Sequence, residues 1–217
     1  MNNTMTNQTK ISPQPCECTL YLVRHGEIET KGILAGRTDV ALSAVGREQL
    51  IKAVSPLQNI RRCISSPLIR CHDVAFEYSQ QHNIQLEVTS DLQEMNFGDW
   101  DGKTYKALWN INKEPGLSTI GDFWQNPWQN TPPNGEVMSN FVNRVDQWWL
   151  QYLSNEVLFN TVVFTHAGVI KHLLARILDL PIPGTEHMTS IDVGYASVIK
   201  ISLYKEECGK VWSKLML

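Results

Sequence analysis

This sequence predicts an α/β fold, and three observations carry that expectation. Strand-like and helix-like segments alternate along the chain. Two apolar runs, Leu20-Tyr21-Leu22-Val23 and Val162-Val163-Phe164, each lead into a histidine closely followed by glycine. The 217 residues are enough for one substantial domain with its own core. Open sheets of this class hold their ligands beyond the carboxyl ends of the strands, so the residues at those ends are where chemistry is expected.

The elements follow in order. Met1 to Gln14 is polar and lacks the apolar centre of a secretory signal. Residues 1–17 are therefore expected to be a disordered tail and residues 18–217 a single domain. The first strand is expected over Thr19–Arg24, ending in Arg24-His25-Gly26-Glu27, where Gly26 lets the backbone turn without a Cβ in the way. A helix over Ser43–Val54 precedes a strand over Arg62–Ser65. Ser65-Ser66-Pro67-Leu68-Ile69-Arg70 then opens a helix over Pro67–Gln81, because proline suits a first turn. Arg70 falls near that helix's amino end, where free N–H groups also favour an anion. After a strand over Gln85–Val88, the stretch Leu92 to Gly102 sets Glu94 just ahead of an aromatic, glycine-punctuated loop.

Between about residues 99 and 136 the chain becomes rich in Trp, Asn, Pro and Gly. Trp109, Phe123, Trp124 and Trp128 lie between the turn signals Glu114-Pro115-Gly116 and Pro132-Pro133-Asn134-Gly135. This segment reads as a cap folded over the carboxyl edge of the sheet. The next helix, Val137–Leu153, carries Met138, Phe141, Val142, Val145, Trp148, Trp149 and Tyr152 at three-and-four spacing, a stripe that has to be buried. A strand over Thr161–Thr165 leads through His166-Ala167-Gly168 into a helix over Gly168–Leu178, and a last strand is expected over Tyr195–Leu203.

Bulk properties narrow the function. A net charge of −3 argues against a general nucleic-acid binder, and no apolar stretch reaches the length of a membrane span. Five cysteines form no disulfide pattern, which suits reduced thiols and a cytoplasmic protein. Cys16 and Cys18 are too close for a zinc knuckle, and His72, His82, His172 and His187 are not spaced as a metal cluster. Neither a metal nor a cofactor is expected.

The Arg24-His25-Gly26-Glu27, Ser65–Arg70, Glu94 and His166 elements, in that order, resemble the histidine phosphatase superfamily, also called phosphoglycerate mutase-like. The likeness runs from about Thr19 to Leu203. It implies a three-layer α/β/α fold with a mostly parallel sheet, and a metal-independent phosphomonoesterase working through a phosphohistidine. Carried over motif by motif, His25 is the nucleophile, Glu94 the general acid and then base, and His166 the transition-state stabiliser. Arg24 and Arg70, with His25 and His166, hold the phosphate. Guanidinium geometry suits phosphate oxygens, and two nearby arginines keep an imidazole nitrogen free for attack. The segment Ala35-Gly36-Arg37-Thr38-Asp39 resembles the family's next loop, which makes Arg37 and Thr38 substrate contacts. Asp91, Asp99 and Asp101 stand near enough to Glu94 to be alternative acids. Lys31 stands where many relatives carry asparagine, and Thr165 and Ala167 replace the more usual serine and glycine.

Within the superfamily, a mutase handling a bisphosphate needs extra cations in its cap. Between Trp109 and Asn143 the only basic residue is Lys113. Phe123-Trp124-Gln125-Asn126-Pro127, the later Pro132-Pro133-Asn134-Gly135-Glu136, and Phe141 and Arg144 resemble α-ribazole-5′-phosphate phosphatases, although Val137 stands where that subgroup commonly has serine. That resemblance implies α-ribazole 5′-phosphate, or adenosylcobalamin 5′-phosphate, as substrate, with Trp109 and Trp124 stacking on its base. A broad sugar-phosphate phosphatase and a phosphoglycerate mutase stay open, as does a non-catalytic phosphate-recognition module. The expected partner is a small phosphate monoester, not nucleic acid or membrane, and the chain is a monomer or homodimer.

Overall fold

The computed structural model describes residues 15–111, 116–184 and 186–217. Met1 to Gln14, the bulk of the expected tail, and Lys113 of the cap lie outside the described residues. The elements are β1 (Cys16–Arg24), α1 (Ala44–Val54), β2 (Arg62–Ser65), α2 (Ile69–His82), β3 (Leu86–Val88), α3 (Tyr105–Trp109), α4 (Ile120–Gln125), α5 (Met138–Ser154), β4 (Thr161–Thr165), α6 (Ala167–Ile177), α7 (Glu186–Ser190), β5 (Val198–Lys205) and β6 (Val211–Met216).

Six strands form one mixed sheet in the order β3-β2-β4-β1-β5-β6. The β3, β2, β4 and β1 strands run parallel, whereas β5 is antiparallel to β1 and β6 to β5. Successive side chains leave a strand on opposite faces. Leu20, Leu22, Ile64 and Val163 accordingly pack on one side with α5, α6 and the cap, and Val23, Cys63, Val162 and Phe164 on the other with α1 and α2. This is the expected three-layer architecture. The whole apolar stripe of α5 is buried.

The register positions the site. Arg24 pairs with Thr165, and Ser65 with Phe164. The ladders run one residue further through His25 N to Thr165 O at 3.1 Å and Ser66 N to Phe164 O at 2.9 Å. The carboxyl ends of β1, β2 and β4 are thereby level, with His25, Ser66 and His166 just beyond them.

Several boundaries differ from the expectation. Cys16 and Glu17, placed in the tail by sequence, are the first residues of β1, paired with Lys205 and Tyr204. Pro67 precedes α2, whose N-cap is Leu68, so Arg70 is the second helical residue. Tyr195 to Ser197 form a turn before β5, with Ala196 at a φ of 54°. β6 is an additional strand joined to β5 by a turn through Gly209. The cap contains α3 and α4, and its Ile120 and Phe123 are buried in the main core. Gly26 is required by packing, since a Cβ there would lie 1.9 Å from the carbonyl oxygen of Gly46, at the start of α1. Among the described residues no helix is long and apolar enough to cross a membrane.

Candidate active site

His25 stands just beyond β1 and is 5% exposed. Its Nδ1 lies 2.8 Å from the carbonyl oxygen of Gly26. A carbonyl only accepts, so Nδ1 carries the proton and Nε2 keeps its lone pair. Burial first, then the charge of Arg70 and, more weakly, that of Arg24, push the imidazole pKa down to about 3. The ring is therefore neutral at pH 7, which a nucleophile requires.

Arg24 lines the same cavity as His25. Its guanidinium lies 4.1 Å over the Tyr195 ring and Nη1 donates to the Val193 carbonyl at 2.5 Å. Its Nε is buried without a partner among the described residues. Such a donor beside a neutral histidine is suited to an anionic oxygen. The first residues of α6, Ala167 and Gly168, form the adjoining wall, so the positive end of that helix dipole also faces the cavity.

His166, the N-cap of α6, and Arg70 lie behind His25, and both are fully buried. The His25 and His166 rings are 5.3 Å apart. Arg70 Nε donates to His166 Nδ1 at 3.3 Å, which leaves Nε2 as the protonated nitrogen, 2.8 Å from Ser66 Oγ. Burial, then Arg70 and His25, hold the His166 pKa well below the usual histidine range. Arg70 also donates to the carbonyls of Thr38 at 2.8 Å and Gly36 at 2.6 Å. Sequence reasoning has both residues touching phosphate; in this conformation neither lines the cavity, and their polar atoms are engaged with protein. Arg70 contributes fixed charge and anchors the 36–38 loop.

Glu94 lines the same cavity and is 9% exposed. Its Oε1 accepts from Met95 N and its Oε2 from Gly168 N, each at 3.0 Å. The other candidate acids are turned elsewhere. Asp101 accepts from Gly36 N, Arg37 N, Thr38 N and Thr38 Oγ1 and thereby shapes their loop. Asp99 accepts from Asn134 on the surface, and Asp91 pairs with Thr89. Of these four candidates, Glu94 is the one that lines the cavity with His25.

Arg37 and Thr38, expected to touch substrate, stand outside the cavity lining. Arg37 Nε donates to the Glu94 carbonyl at 2.9 Å and Nη1 to the Gln93 side chain. Arg144 on α5 reaches the same Glu94 carbonyl at 3.1 Å and that of Gln93 at 2.7 Å, and is paired with Glu136 at 2.8 Å. Two arginines therefore hold the backbone that carries Glu94. Thr165, where a serine is more usual, donates to the Leu92 carbonyl at 2.8 Å and ties β4 to the same segment. Lys31 pairs with Glu27 at 3.1 Å and its side chain is 74% exposed, so it makes no contact at the site.

Of the two cap tryptophans expected to meet the substrate, Trp124 lines the cavity and Trp109 does not. Trp109 is 60% exposed and leans on Gly121, where a Cβ would come within 3.1 Å of its ring. Phe97 and Tyr105 join Trp124 on the apolar wall. Sequence reasoning missed two charged wall residues, Lys171 and Asp192. Lys171 follows Ala167 and Gly168 by one helical turn, a spacing that puts all three on one face and supplies a readable signal. Its Nζ donates to the Met188 carbonyl at 2.8 Å. Burial pulls the ammonium pKa below its usual range, while the charges of Glu94 and Asp192 pull the other way. Among the described residues no three His, Cys, Asp or Glu side chains come together as a metal site.

The sequence model of the histidine phosphatase superfamily (branch 1) matches residues 20–214. The adenosylcobalamin/alpha-ribazole phosphatase of Escherichia coli (strain K12) is 28% identical over 188 residues, covering 84% of this chain and 90% of that protein. The structure of the alpha-ribazole phosphatase from Shigella flexneri matches with a TM-score of 0.74 at 24% identity, over 92% of this chain and 95% of that one. The mycobacterial glucosyl-3-phosphoglycerate phosphatase gives 0.75 at 22% identity, over 93% and 98%. These two structures share the fold. The chain belongs to the histidine phosphatase superfamily, and hydrolysis of phosphate esters is the activity its membership and relatives support.

Proposed function

We propose that this superfamily member is a metal-independent phosphomonoesterase acting through a phosphohistidine on His25, and that its substrate is α-ribazole 5′-phosphate or adenosylcobalamin 5′-phosphate. One observation carries the mechanism. The bond from His25 Nδ1 to Gly26 leaves Nε2 unprotonated in a cavity shared with Arg24 and Glu94.

The phosphate dianion enters beside Arg24, whose unpartnered Nε takes an oxygen, and against the amino end of α6. Arg70 and His166 exchange protein partners for phosphate oxygens as the dianion settles. The Nε2 lone pair attacks phosphorus, the ester P–O bond breaks, and the departing oxygen takes a proton from Glu94. Glu94, now a carboxylate, removes a proton from water. That water attacks phosphorus and the N–P bond breaks, returning His25 to its starting state. Arg37 and Arg144 keep the Glu94 backbone fixed through both steps.

Three features support the substrate. A relative covering most of the chain is named for this activity. Phe97, Tyr105 and Trp124 offer aromatic surface next to the phosphate site. Among the described residues the cavity's lining cations are Arg24, which takes the phosphate, and Lys171, which stands with Asp192, so none is left for a second anionic group.

Turnover of α-ribazole 5′-phosphate, 3-phosphoglycerate and p-nitrophenyl phosphate is the test, with and without chelator. The ribazole ester should be the better physiological substrate, and chelator should have no effect. His25→Ala should abolish turnover, and the wild type should trap acid-labile phosphate. A preference for 3-phosphoglycerate refutes the substrate; an active His25→Ala protein refutes the mechanism. No turnover at all would return the chain to phosphate recognition.

A further inference from the structure

The cavity's charged wall residues, Lys171 and Asp192, have no part in the phosphoryl-transfer steps. Lys171 projects from α6 into the cavity and is fixed by its bond to the Met188 carbonyl. Asp192 follows on the same segment, one residue before Val193, whose carbonyl takes Arg24 Nη1. The stretch from Met188 to Val193 is thus strapped to both cavity cations. The entering phosphate dianion is balanced by Arg24, with Arg70 behind it. Lys171 lies one helical turn beyond Gly168, whose N–H holds Glu94, the group that meets the departing oxygen, and it shares the cavity with Asp192.

We infer that Asp192 and Lys171 form a charge filter on the leaving group, admitting neutral, hydroxyl-bearing alcohols and turning away those that carry a carboxylate. Asp192 accepts from a hydroxyl and Lys171 donates to one, so a polyol satisfies both. A leaving-group carboxylate drawn to Lys171 also enters the field of Asp192, whose charge acts on that ammonium. The like charges then oppose it, and specificity comes from that repulsion as much as from attraction. This inference rests on the phosphoesterase reading but not on the ribazole substrate.

The test compares two three-carbon esters, glycerol 3-phosphate and 3-phosphoglycerate, which differ in a hydroxymethyl group against a carboxylate. The readout is the ratio of kcat/KM for 3-phosphoglycerate to that for glycerol 3-phosphate. Asp192→Asn keeps the shape and removes one of the two carboxylate charges that act on Lys171, leaving that of Glu94. It should raise the ratio about tenfold, equivalent to about 1.4 kcal/mol, mainly through KM. Adding Lys171→Met to Asp192→Asn should cancel the gain. Asp192 is exposed, so the variant should fold; Asp192→Ser supplies the same change of charge if the amide disturbs the strap. An unchanged or lower ratio in folded Asp192→Asn protein overturns the inference, as does a gain that survives Lys171→Met. A protein that ignores α-ribazole phosphate but shows the shift loses its proposed substrate and keeps this filter.

Discussion

Gly168→Ala is the sharpest test of how the site is built. Gly168 is the second residue of α6, and a Cβ there would lie 2.3 Å from Glu94 Oε1 and 3.2 Å from Glu94 Cδ. A carbon and an oxygen in contact sit more than 3 Å apart, so the carboxylate has to retreat by about 1 Å, a displacement that in a catalytic group costs about 10²-fold in rate. The retreat also strains the Gly168 N to Oε2 bond, which contributes about 1 kcal/mol. Alanine in place of glycine in a helix returns about 0.5–1 kcal/mol. Stability should therefore be nearly unchanged while catalysis falls. The loss should be largest for alkyl phosphates, whose leaving oxygen needs Glu94's proton, and smaller for p-nitrophenyl phosphate. Steady-state kinetics on both esters, beside a melting curve, reads the effect. A folded Gly168→Ala protein with undiminished turnover of alkyl phosphates would refute Glu94 as the acid.

Two other outcomes follow from the same geometry. His25 and His166 are held neutral, with folded pKa values below the ordinary histidine value, so unfolding takes up protons in acid. Their contribution to stability is complete above about pH 6.5 and is lost as pH falls toward the folded values, with a limiting slope of about 1.4 kcal/mol per pH unit for each ring. Denaturant titrations from pH 8 to 5 should show this decline, His25→Ala should make it shallower, and a flat profile would contradict the buried neutral pair. In the cap, Trp124→Ala should raise KM for the ribazole ester by a factor equivalent to about 1–3 kcal/mol, the range for base–aromatic stacking. Trp109→Ala should leave it unchanged, and equal effects from the two would mean that neither ring stacks on the base.

The legible parts of the fold are those where burial and sequence order coincide. β2 and β4 have the bounds expected of them, one residue either side of the apolar runs Cys63-Ile64 and Val162-Val163-Phe164, because β4 is buried along its whole length and β2 nearly so. The α5 stripe was readable for the same reason. β6 was not, since Val211 to Met216 alternates between half-buried and exposed side chains and covers only one edge of the sheet. Cys16 and Glu17 follow polar residues that hide a strand whose pairing partners lie about 190 positions away.

In the site, sequence order revealed which residues gather but not which way each one faces. His25, Arg24 and Glu94 share the cavity, whereas Arg70 and His166 stand behind His25. Arg37 illustrates the reason. Its guanidinium points at the Glu94 carbonyl because Asp101, 64 residues further on, clamps its backbone N–H at 2.6 Å. No local pattern encodes a loop bent by a carboxylate so far along the chain. Trp109 and Trp124 make the same point within one cap. They are alike in composition, yet α4 turns Trp124 inward against Phe97 and Phe123, and Trp109 closes over Gly121 on the outside. Lys171 is the converse case. Its place in the cavity follows from helical spacing behind Ala167 and Gly168. Asp192 left no such signal, so the charge that opposes Lys171 emerges only once the chain is folded.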